Sequence, residues 1–225
     1  MTKVIVLRPE PGASETVNRA KARGLNAVTL PLFTIAPIDW SAPEPGAFDA
    51  LLLTSANALR FGGDQLESLR GLPVHAVGKA TAEAAREAGF DIASSGDAGV
   101  ERLLGSLEPE LKLLHLCGED RVEADARQEV TPIPVYRSKV IEPAPDVGVA
   151  RGQFVVLHSQ RAARRFAELV SQRDGDRSEI TLVAISDATA AAAGTGWNCI
   201  ETADHPVDEA LLALVERLCD KGAQE

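Results

Sequence analysis

The sequence has little cysteine, almost no tyrosine or methionine, and no long apolar run. Its 225 residues include three cysteines, one tyrosine and one methionine. Cys117, Cys199 and Cys219 are odd in number and have no C-x-x-C spacing, which argues against a disulfide framework and against a zinc site. The four histidines are scattered and form no H-E-x-x-H pair. We therefore predict that the protein binds no metal.

Membranes and nucleic acids are not expected as partners. No apolar run approaches the roughly 18 residues that cross a bilayer, and the N-terminal "MTKVIVLRPE" is too short in its apolar part for a secretory signal. A cytoplasmic location is the expectation. The net charge of −10, from 23 basic and 33 acidic residues, argues against nucleic-acid binding. It also argues mildly against an anionic ligand.

Two nucleotide-binding motifs and one motif of nucleophilic catalysis are missing from the sequence. There is no G-x-G-x-x-G and no G-x-x-x-x-G-K-[ST], so a dinucleotide site and a P-loop have no support. There is no G-x-S-x-G elbow, and neither of the serines in "LLLTSANALRF" and "VVLHSQRAARRF" has an adjacent base. Nucleophilic catalysis is therefore not expected.

Short apolar runs alternate with alanine-rich helical segments along the whole chain. "KVIVLRP", "FDALLLTS", "LPVHAVG", "LKLLHLCGE", "GQFVVLHS" and "EITLVAIS" each read as a strand with a helix after it. These runs lack polar alternation, which indicates parallel sheets that are covered on both faces. The pattern predicts an α/β protein.

The strand and helix units repeat as a larger module. Residues 74–104 align with residues 183–212, including the Ala-Thr-Ala triplets and a Gly-aromatic step. The chain therefore looks like two copies of a module of about one hundred residues, a usual domain size. The sequence leaves two divisions open: sequential halves cut near residue 110, or crossings between domains near "TIAPI" and "YRSKVIEP".

Polar residues follow the strand ends, where open parallel sheets bind ligands. Ser55 and Ser159 are natural N-caps, and a helix N-terminus with spare amides also attracts anions. Thr81 and Thr189 lie three residues past a strand end, where a hydroxyl either caps a helix or contacts a ligand. Tyr136, the one tyrosine, either packs near a domain connection or donates a proton or hydrogen bond.

With these features assembled, the chain resembles the uroporphyrinogen-III synthase family. The resemblance lies in the order and spacing of "TSANAL", "AVGKATAEAAREAGF", "LCGEDR", "IPVYRS", "LHSQRAARRF" and "AISDATAAAA". It implies two similar α/β domains with parallel sheets, joined by two extended connectors. Residues 1–35 and 140–225 would form the first domain, residues 36–139 the second, and the active-site cleft would lie between them.

The resemblance also implies a reaction. The family cyclises hydroxymethylbilane to uroporphyrinogen III without a cofactor, with loss of water and inversion of ring D through a spiro intermediate, in tetrapyrrole and heme biosynthesis. The family's tyrosine matches Tyr136, which we assign as the proton donor to the leaving hydroxyl. A monomer that receives its substrate by transient hand-over from the preceding enzyme is expected. The expected substrate-binding residues are Arg8, Thr54, Ser55, Asn57, Lys79, Thr81, Gly118, Arg121, Ser159, Gln160, Arg161 and Thr189.

Two other functions fit the same pattern. One is a non-catalytic two-domain α/β protein that binds a small ligand without changing it. The other is a regulator that has kept the fold and lost the chemistry. Conversion of a pyrrole substrate, as opposed to its binding alone, separates both of these from an enzyme.

Overall fold

The fold is described from a computed structural model, for residues 2–96, 99–121, 125–173 and 175–222. Strands and helices alternate along most of the chain, and four short 3-10 turns lie between them. The elements are β1 (Val4–Val6), α1 (Gly12–Ala22), β2 (Ala27–Thr29), β3 (Phe33–Pro37), β4 (Ala50–Leu53), α2 (Asn57–Phe61), β5 (Val74–Val77), α3 (Lys79–Glu87), β6 (Ile92–Gly96), α4 (Val100–Gly105), β7 (Lys112–Gly118), β8 (Glu129–Val140), β9 (Phe154–Leu157), α5 (Gln160–Gln172), β10 (Thr181–Ala184), α6 (Asp187–Ala192), β11 (Cys199–Thr202) and α7 (Asp208–Gly222).

The chain divides into two compact units. The first contains Met1–Thr34 and Lys139–Glu225, and the second contains Ile35–Ser138. The chain passes from the first unit to the second within β3 and returns within β8. The second unit is therefore inserted into the first along the sequence.

The first unit is a five-stranded sheet in the order β11-β10-β9-β1-β2, with every pair parallel. Its three central strands, β1, β9 and β10, are almost fully buried because apolar side chains on each face pack against helices. On one face, Leu157 and Leu182 pack with Phe166 of α5 and with Trp197. On the other face, the side chains that pack together come from β1, β9, β10, α1 and α7: Val4, Val6, Val156, Val183, Val17, Leu211 and Val215.

The second unit is a six-stranded sheet in the order β3-β8-β7-β4-β5-β6, and its pairs from β8 to β6 are parallel. One face carries a large cluster that includes Leu53, Leu116 and Phe90. The other face carries a smaller cluster, in which Leu52 and Leu113 pack against Leu104 of the six-residue helix α4.

The predicted α/β class with parallel sheets is confirmed by both units. One local prediction is wrong: a helix was expected after "LKLLHLCGE". Between Gly118 and Glu129 the structure describes no helix, and residues 122–124 of that segment lie outside the described part. The sequence of residues 119–128 is strongly charged and has no apolar stripe that a packed helix could bury. In the described part of the chain, no helix is long and apolar enough to span a membrane.

Candidate active site

A pocket of about 560 Å³ lies at the carboxyl end of the second unit's sheet. Strands β4, β7 and β8 and the residues that follow β4 and β7 supply most of its wall, and Val77 of β5 with Val100 and Leu104 of α4 completes it. Its polar residues come from the strand ends and from the segment after β7: Thr54, Ser55, His115, Cys117, Asp120, Arg121 and Tyr136. The pocket therefore brings together Thr54, Ser55, Gly118, Arg121 and Tyr136 of the predicted set.

Tyr136 is held in place by residues at the carboxyl ends of β4 and β7. Its side chain is hydrogen-bonded to the Ser55 side chain, at the end of β4. Its carbonyl oxygen accepts a hydrogen bond of 2.9 Å from the Glu119 N–H. Tyr136 pairs with Gly118 just after a register shift between β7 and β8, and its ring lies against Gly118. The glycine leaves the space that the ring fills.

The surroundings of Tyr136 keep its hydroxyl protonated. Burial raises the pKa of Tyr136, the hydrogen bond from Ser55 opposes that rise, and the Cys117 thiol adds to it. The Phe61 ring lies 6.5 Å from the Tyr136 ring, centroid to centroid. A phenol whose pKa lies above 10 carries its proton at neutral pH and can donate it within the pocket.

A second hydrogen-bonded pair lies in the same pocket. Thr54 Oγ1 is 3.1 Å from His115 Nε2, and His115 pairs with Leu52 across the β4–β7 ladder. Burial, with a further contribution from the Arg121 cation, lowers the pKa of His115 to about 4. His115 is therefore a neutral imidazole at neutral pH, and it fixes the orientation of the Thr54 hydroxyl.

The other predicted residues of the second unit lie outside the residues that line this pocket. Asn57 begins α2 and accepts a hydrogen bond from Arg60, while Lys79 begins α3 and is exposed. Thr81 is buried in the first turn of α3. The expected N-cap at Ser55 is wrong by one residue: the N-cap of α2 is Ala56, although Ser55 Oγ accepts a 3.2 Å hydrogen bond from the Asn57 N–H.

The first unit carries a charged network at the matching edge of its sheet. His158 follows β9 and its Nε2 lies 2.7 Å from Asp208 Oδ1 at the start of α7. Asp208 also accepts hydrogen bonds from Thr16 Oγ1, at 2.9 Å, and from Arg19. Arg8 Nη1 is 4.0 Å from Oδ1 of the same carboxylate.

The pKa values of Asp208 and His158 in this network are both lowered. Burial opposes ionisation of Asp208, but the hydrogen bonds from His158, Thr16 and Arg19 outweigh it and lower its pKa to about 2. Burial lowers the pKa of His158, and the bond to Asp208 partly offsets that effect. The carboxylate is therefore ionised at neutral pH and accepts the hydrogen bonds of its neighbours.

The predicted residues of the first unit lie at its strand ends. Ser159 is the N-cap of α5, as expected, and accepts a 3.2 Å hydrogen bond from the Ala162 N–H. Gln160 accepts a hydrogen bond from Arg164, and the Arg161 guanidinium lies 4.6 Å from the Phe33 ring centroid. Thr189 is buried, and its hydroxyl is 3.1 Å from that of Ser186, which caps α6.

Several site residues were not found from the sequence. His115 and Cys117 lie inside "LKLLHLCGE", where they look like members of an apolar strand. Asp208 begins a helix fifty residues after His158, so nothing in the local sequence links them. The repeat gave one usable signal, because His158 occupies the position of Thr54 in the aligned strand-serine junctions.

One family model matches most of the chain. The model of the family described as uroporphyrinogen-III synthase HemD matches residues 14–213 of the chain. No curated protein sequence gives a significant match. Within the described residues, no group of three or more His, Cys, Asp or Glu side chains is arranged to hold a metal ion.

Solved structures of the same name share the fold. The uroporphyrinogen-III synthetase from Helicobacter pylori 26695 is similar with a TM-score of 0.66 and 19% identity, over 97% of this chain and 100% of that one. A mutant uroporphyrinogen III synthase from Thermus thermophilus gives a TM-score of 0.50 and 17% identity, over 98% and 100% of the two chains. At such low identities these structures support the fold alone.

Proposed function

The chain belongs to the uroporphyrinogen-III synthase family, and we propose that its reaction begins in the pocket of the second unit. The protein is a cyclising lyase of tetrapyrrole biosynthesis, in the route to heme, and its substrate is a small tetrapyrrole. It converts hydroxymethylbilane to uroporphyrinogen III with loss of water and inversion of ring D through a spiro intermediate.

Tyr136 is proposed to donate the proton that removes the substrate's hydroxyl. The carbon–oxygen bond at the hydroxymethyl group of ring A breaks, the oxygen leaves with the bonding electrons, and the phenol proton converts it to water. The pyrrole nitrogen supplies the electrons that form the azafulvenium cation. The observation that supports this role is the Tyr136 hydroxyl, protonated by burial and held by Ser55 in a polar pocket.

The remaining steps return the proton and rearrange the ring. The substituted carbon of ring D attacks the cation, and the spiro intermediate fragments and closes again with ring D inverted. Rearomatisation of the pyrrole releases one proton, which restores the Tyr136 phenol. Proton uptake and release therefore balance, and water is the only leaving product. The protein's main task is to hold a flexible chain in the geometry that favours inversion.

Positive and hydroxyl groups are proposed to hold the substrate's carboxylates. Arg121, Thr54 and Ser55 would do so in the pocket, where the Arg121 cation locally offsets the overall charge of −10. Gly118 would leave room for the ring of Tyr136. Further proposed carboxylate contacts are Asn57, Lys79 and Thr81 in the second unit and Arg8, Ser159, Gln160, Arg161 and Thr189 in the first.

We also propose how the enzyme works in the cell. Hydroxymethylbilane closes spontaneously to the type I isomer. Direct hand-over from the preceding enzyme would therefore limit how much of the substrate closes without inversion. A monomer is proposed for the same reason, since it leaves the site accessible to that donor. The free thiols of Cys117, Cys199 and Cys219 support a reducing compartment such as the cytoplasm.

The test is the isomer ratio of the product. The purified protein is mixed with hydroxymethylbilane, the product is oxidised, and the type III and type I porphyrins are separated. We expect mostly type III. If folded protein gives only the spontaneous type I isomer, the proposal fails, and a non-catalytic ligand-binding or regulatory role would replace it.

A further inference from the structure

Arg137 of β8 is a half-buried cation whose charge has no partner in the described part of the chain. Its Nε is buried without a hydrogen bond, and no ion pair or hydrogen bond joins its side chain to another described residue. The structure describes three other half-buried arginines, and each has a partner: Arg8 with Asp208, Arg165 with Glu142, and Arg177 with Trp197 and the Ala167 carbonyl.

An unpaired cation in this setting is unfavourable for the folded protein. Removing a guanidinium from water costs free energy, and a carboxylate or carbonyl partner normally offsets that cost. Solvent alone would be enough for a fully exposed arginine, but Arg137 is partly enclosed in a strand. Groups kept in such an unfavourable state are typical of binding sites, where stability is lost for the sake of function.

Arg137 lies next to the pocket along β8, on the opposite face of the strand. It follows Tyr136 directly, but neighbouring residues of a strand point to opposite faces, and Arg137 is not among the residues that line the pocket. A carboxylate that Arg137 binds is therefore different from one that Arg121 binds inside the pocket. An extended substrate with eight carboxylates has further acidic groups, besides the one that Arg121 binds, that a second cation outside the pocket can bind.

We propose that Arg137 is a substrate-binding residue that pairs with one carboxylate of the tetrapyrrole. This inference rests on the proposed function, because that function supplies the polyanionic ligand. The planar guanidinium presents two parallel N–H donors to a carboxylate, a geometry that lysine cannot reproduce. Arg137 acts in binding and folding of the substrate chain, and it takes no part in the proton transfer.

The first experiment measures binding without turnover. Uroporphyrin III, which carries eight carboxylates and cannot react, is titrated against the wild type and against Arg137→Gln, with porphyrin fluorescence as the readout. Loss of one charge-assisted pair should weaken binding by roughly 10- to 100-fold. Arg137→Lys should recover part of the loss. The matched control is Arg86→Gln, an exposed arginine at the end of α3, and it should bind like the wild type.

The second experiment measures thermal unfolding without ligand. If Arg137 serves binding, Arg137→Gln should melt at the wild-type temperature or above it, because an unpaired charge has been removed. If Arg137 were structural, the variant should melt lower and porphyrin binding should be unaffected. That result would overturn the proposal, and so would a folded Arg137→Gln that binds as tightly as the wild type.

The two proposals can fail separately. Porphyrin binding that depends on Arg137, together with only type I product, would reject the enzyme activity and keep the carboxylate site. Type III product with unchanged KM and porphyrin affinity in Arg137→Gln would keep the activity and reject the site. Wild-type protein that binds no uroporphyrin even at low salt would also count against the site.

Discussion

The ring of Tyr136 lies so close to Gly118 that no side chain fits between them. A β-carbon built on Gly118 would lie 2.9 Å from Cε2, 3.0 Å from Cζ and 3.2 Å from the hydroxyl oxygen of Tyr136. The backbone of Gly118 does not adopt a left-handed conformation, so glycine is needed here for space and not for its torsion angles. The strand β7 therefore sets the position of the hydroxyl on β8.

Gly118→Ala should displace the Tyr136 ring and lower the rate. A shift of about 1 Å in a catalytic group costs roughly 100-fold in activity, and overpacking costs about 1 to 3 kcal/mol of stability. The measurement is kcat for type III product, with urea unfolding of the same sample. The control is Gly71→Ala, since a β-carbon there meets nothing within 4 Å. A fully active Gly118→Ala would show that the ring position does not matter.

Tyr136→Phe should lower kcat by about 100-fold or more, because a positioned general acid contributes that much. The ring still fills the space beside Gly118, and the lost hydrogen bond with Ser55 should cost about 1 kcal/mol of stability. KM should change little. If kcat is unchanged while KM rises, Tyr136 binds the substrate and another group donates the proton.

The pH dependence follows from the same residue. Because burial raises the pKa of Tyr136, the phenol stays protonated in the folded protein up to and above pH 10. Activity should therefore show no alkaline loss between pH 7 and pH 9, and it should fall only above about pH 10. Rates measured over this range test the assignment, and a decline centred below pH 9 would contradict it.

The sequence predicted the fold well because the central strands of both sheets are buried on both faces. "FDALLLTS" and "GQFVVLHS" contain almost no polar residues before their serines, and such runs form parallel sheets in nearly any context. The helix expected after β7 was the exception: the alternation of strands and helices predicted it, and the described residues between Gly118 and Glu129 form no helix. Residues 119–128 are polar and lack the apolar stripe that a packed helix requires.

Only those site residues that stand at recognisable positions in the sequence could be predicted. Ser55 and Tyr136 stand at recognisable positions, a strand end and a connector motif, so the sequence pointed to them. His115 and Asp208 act through partners that are 61 and 50 residues away, namely Thr54 and His158. Only packing of the sheet brings such pairs together. Arg137 was overlooked because an arginine's lack of a partner is visible only in the fold.

His115 should make the protein sensitive to mild acid. Its pKa of about 4 in the folded protein lies below the ordinary histidine value of 6.5, so between these pH values the unfolded chain binds a proton that the folded protein does not bind. Stability is then complete above pH 6.5 and is lost as the pH falls towards 4. The full effect is on the order of 3 kcal/mol, and urea unfolding at a series of pH values measures it.

His115→Gln should remove much of this acid sensitivity. The Gln amide can replace Nε2 as the partner of Thr54 and does not titrate, so stability should vary less between pH 6.5 and 4. The control is His205→Gln, because His205 is exposed, and its profile should match the wild type. Identical slopes for wild type and His115→Gln would mean that His115 is not the group that titrates.

Asp208→Asn should destabilise the first unit more than any exposed acidic substitution. The Asp208 carboxylate, 10% exposed, accepts hydrogen bonds from His158, Thr16 and Arg19. Its replacement leaves these donors, and the nearby Arg8 guanidinium, without the carboxylate. We expect a loss of about 2 to 5 kcal/mol at pH 7. The comparison variant is Asp204→Asn, whose carboxylate is 76% exposed and 3.7 Å from Arg217, and it should change stability by less than about 0.5 kcal/mol.

The difference between Asp208→Asn and the wild type should also depend on pH in a defined direction. The folded pKa of Asp208 is lowered from 3.8 to about 2, so its ionised form stabilises the protein above pH 3.8. On the order of 2 kcal/mol of that stability disappears as the pH falls from 4 to 2. The two unfolding curves should approach one another over this range. If their separation stays constant, the substitution acts through packing, and the carboxylate charge does not hold the network of His158, Thr16 and Arg19 together.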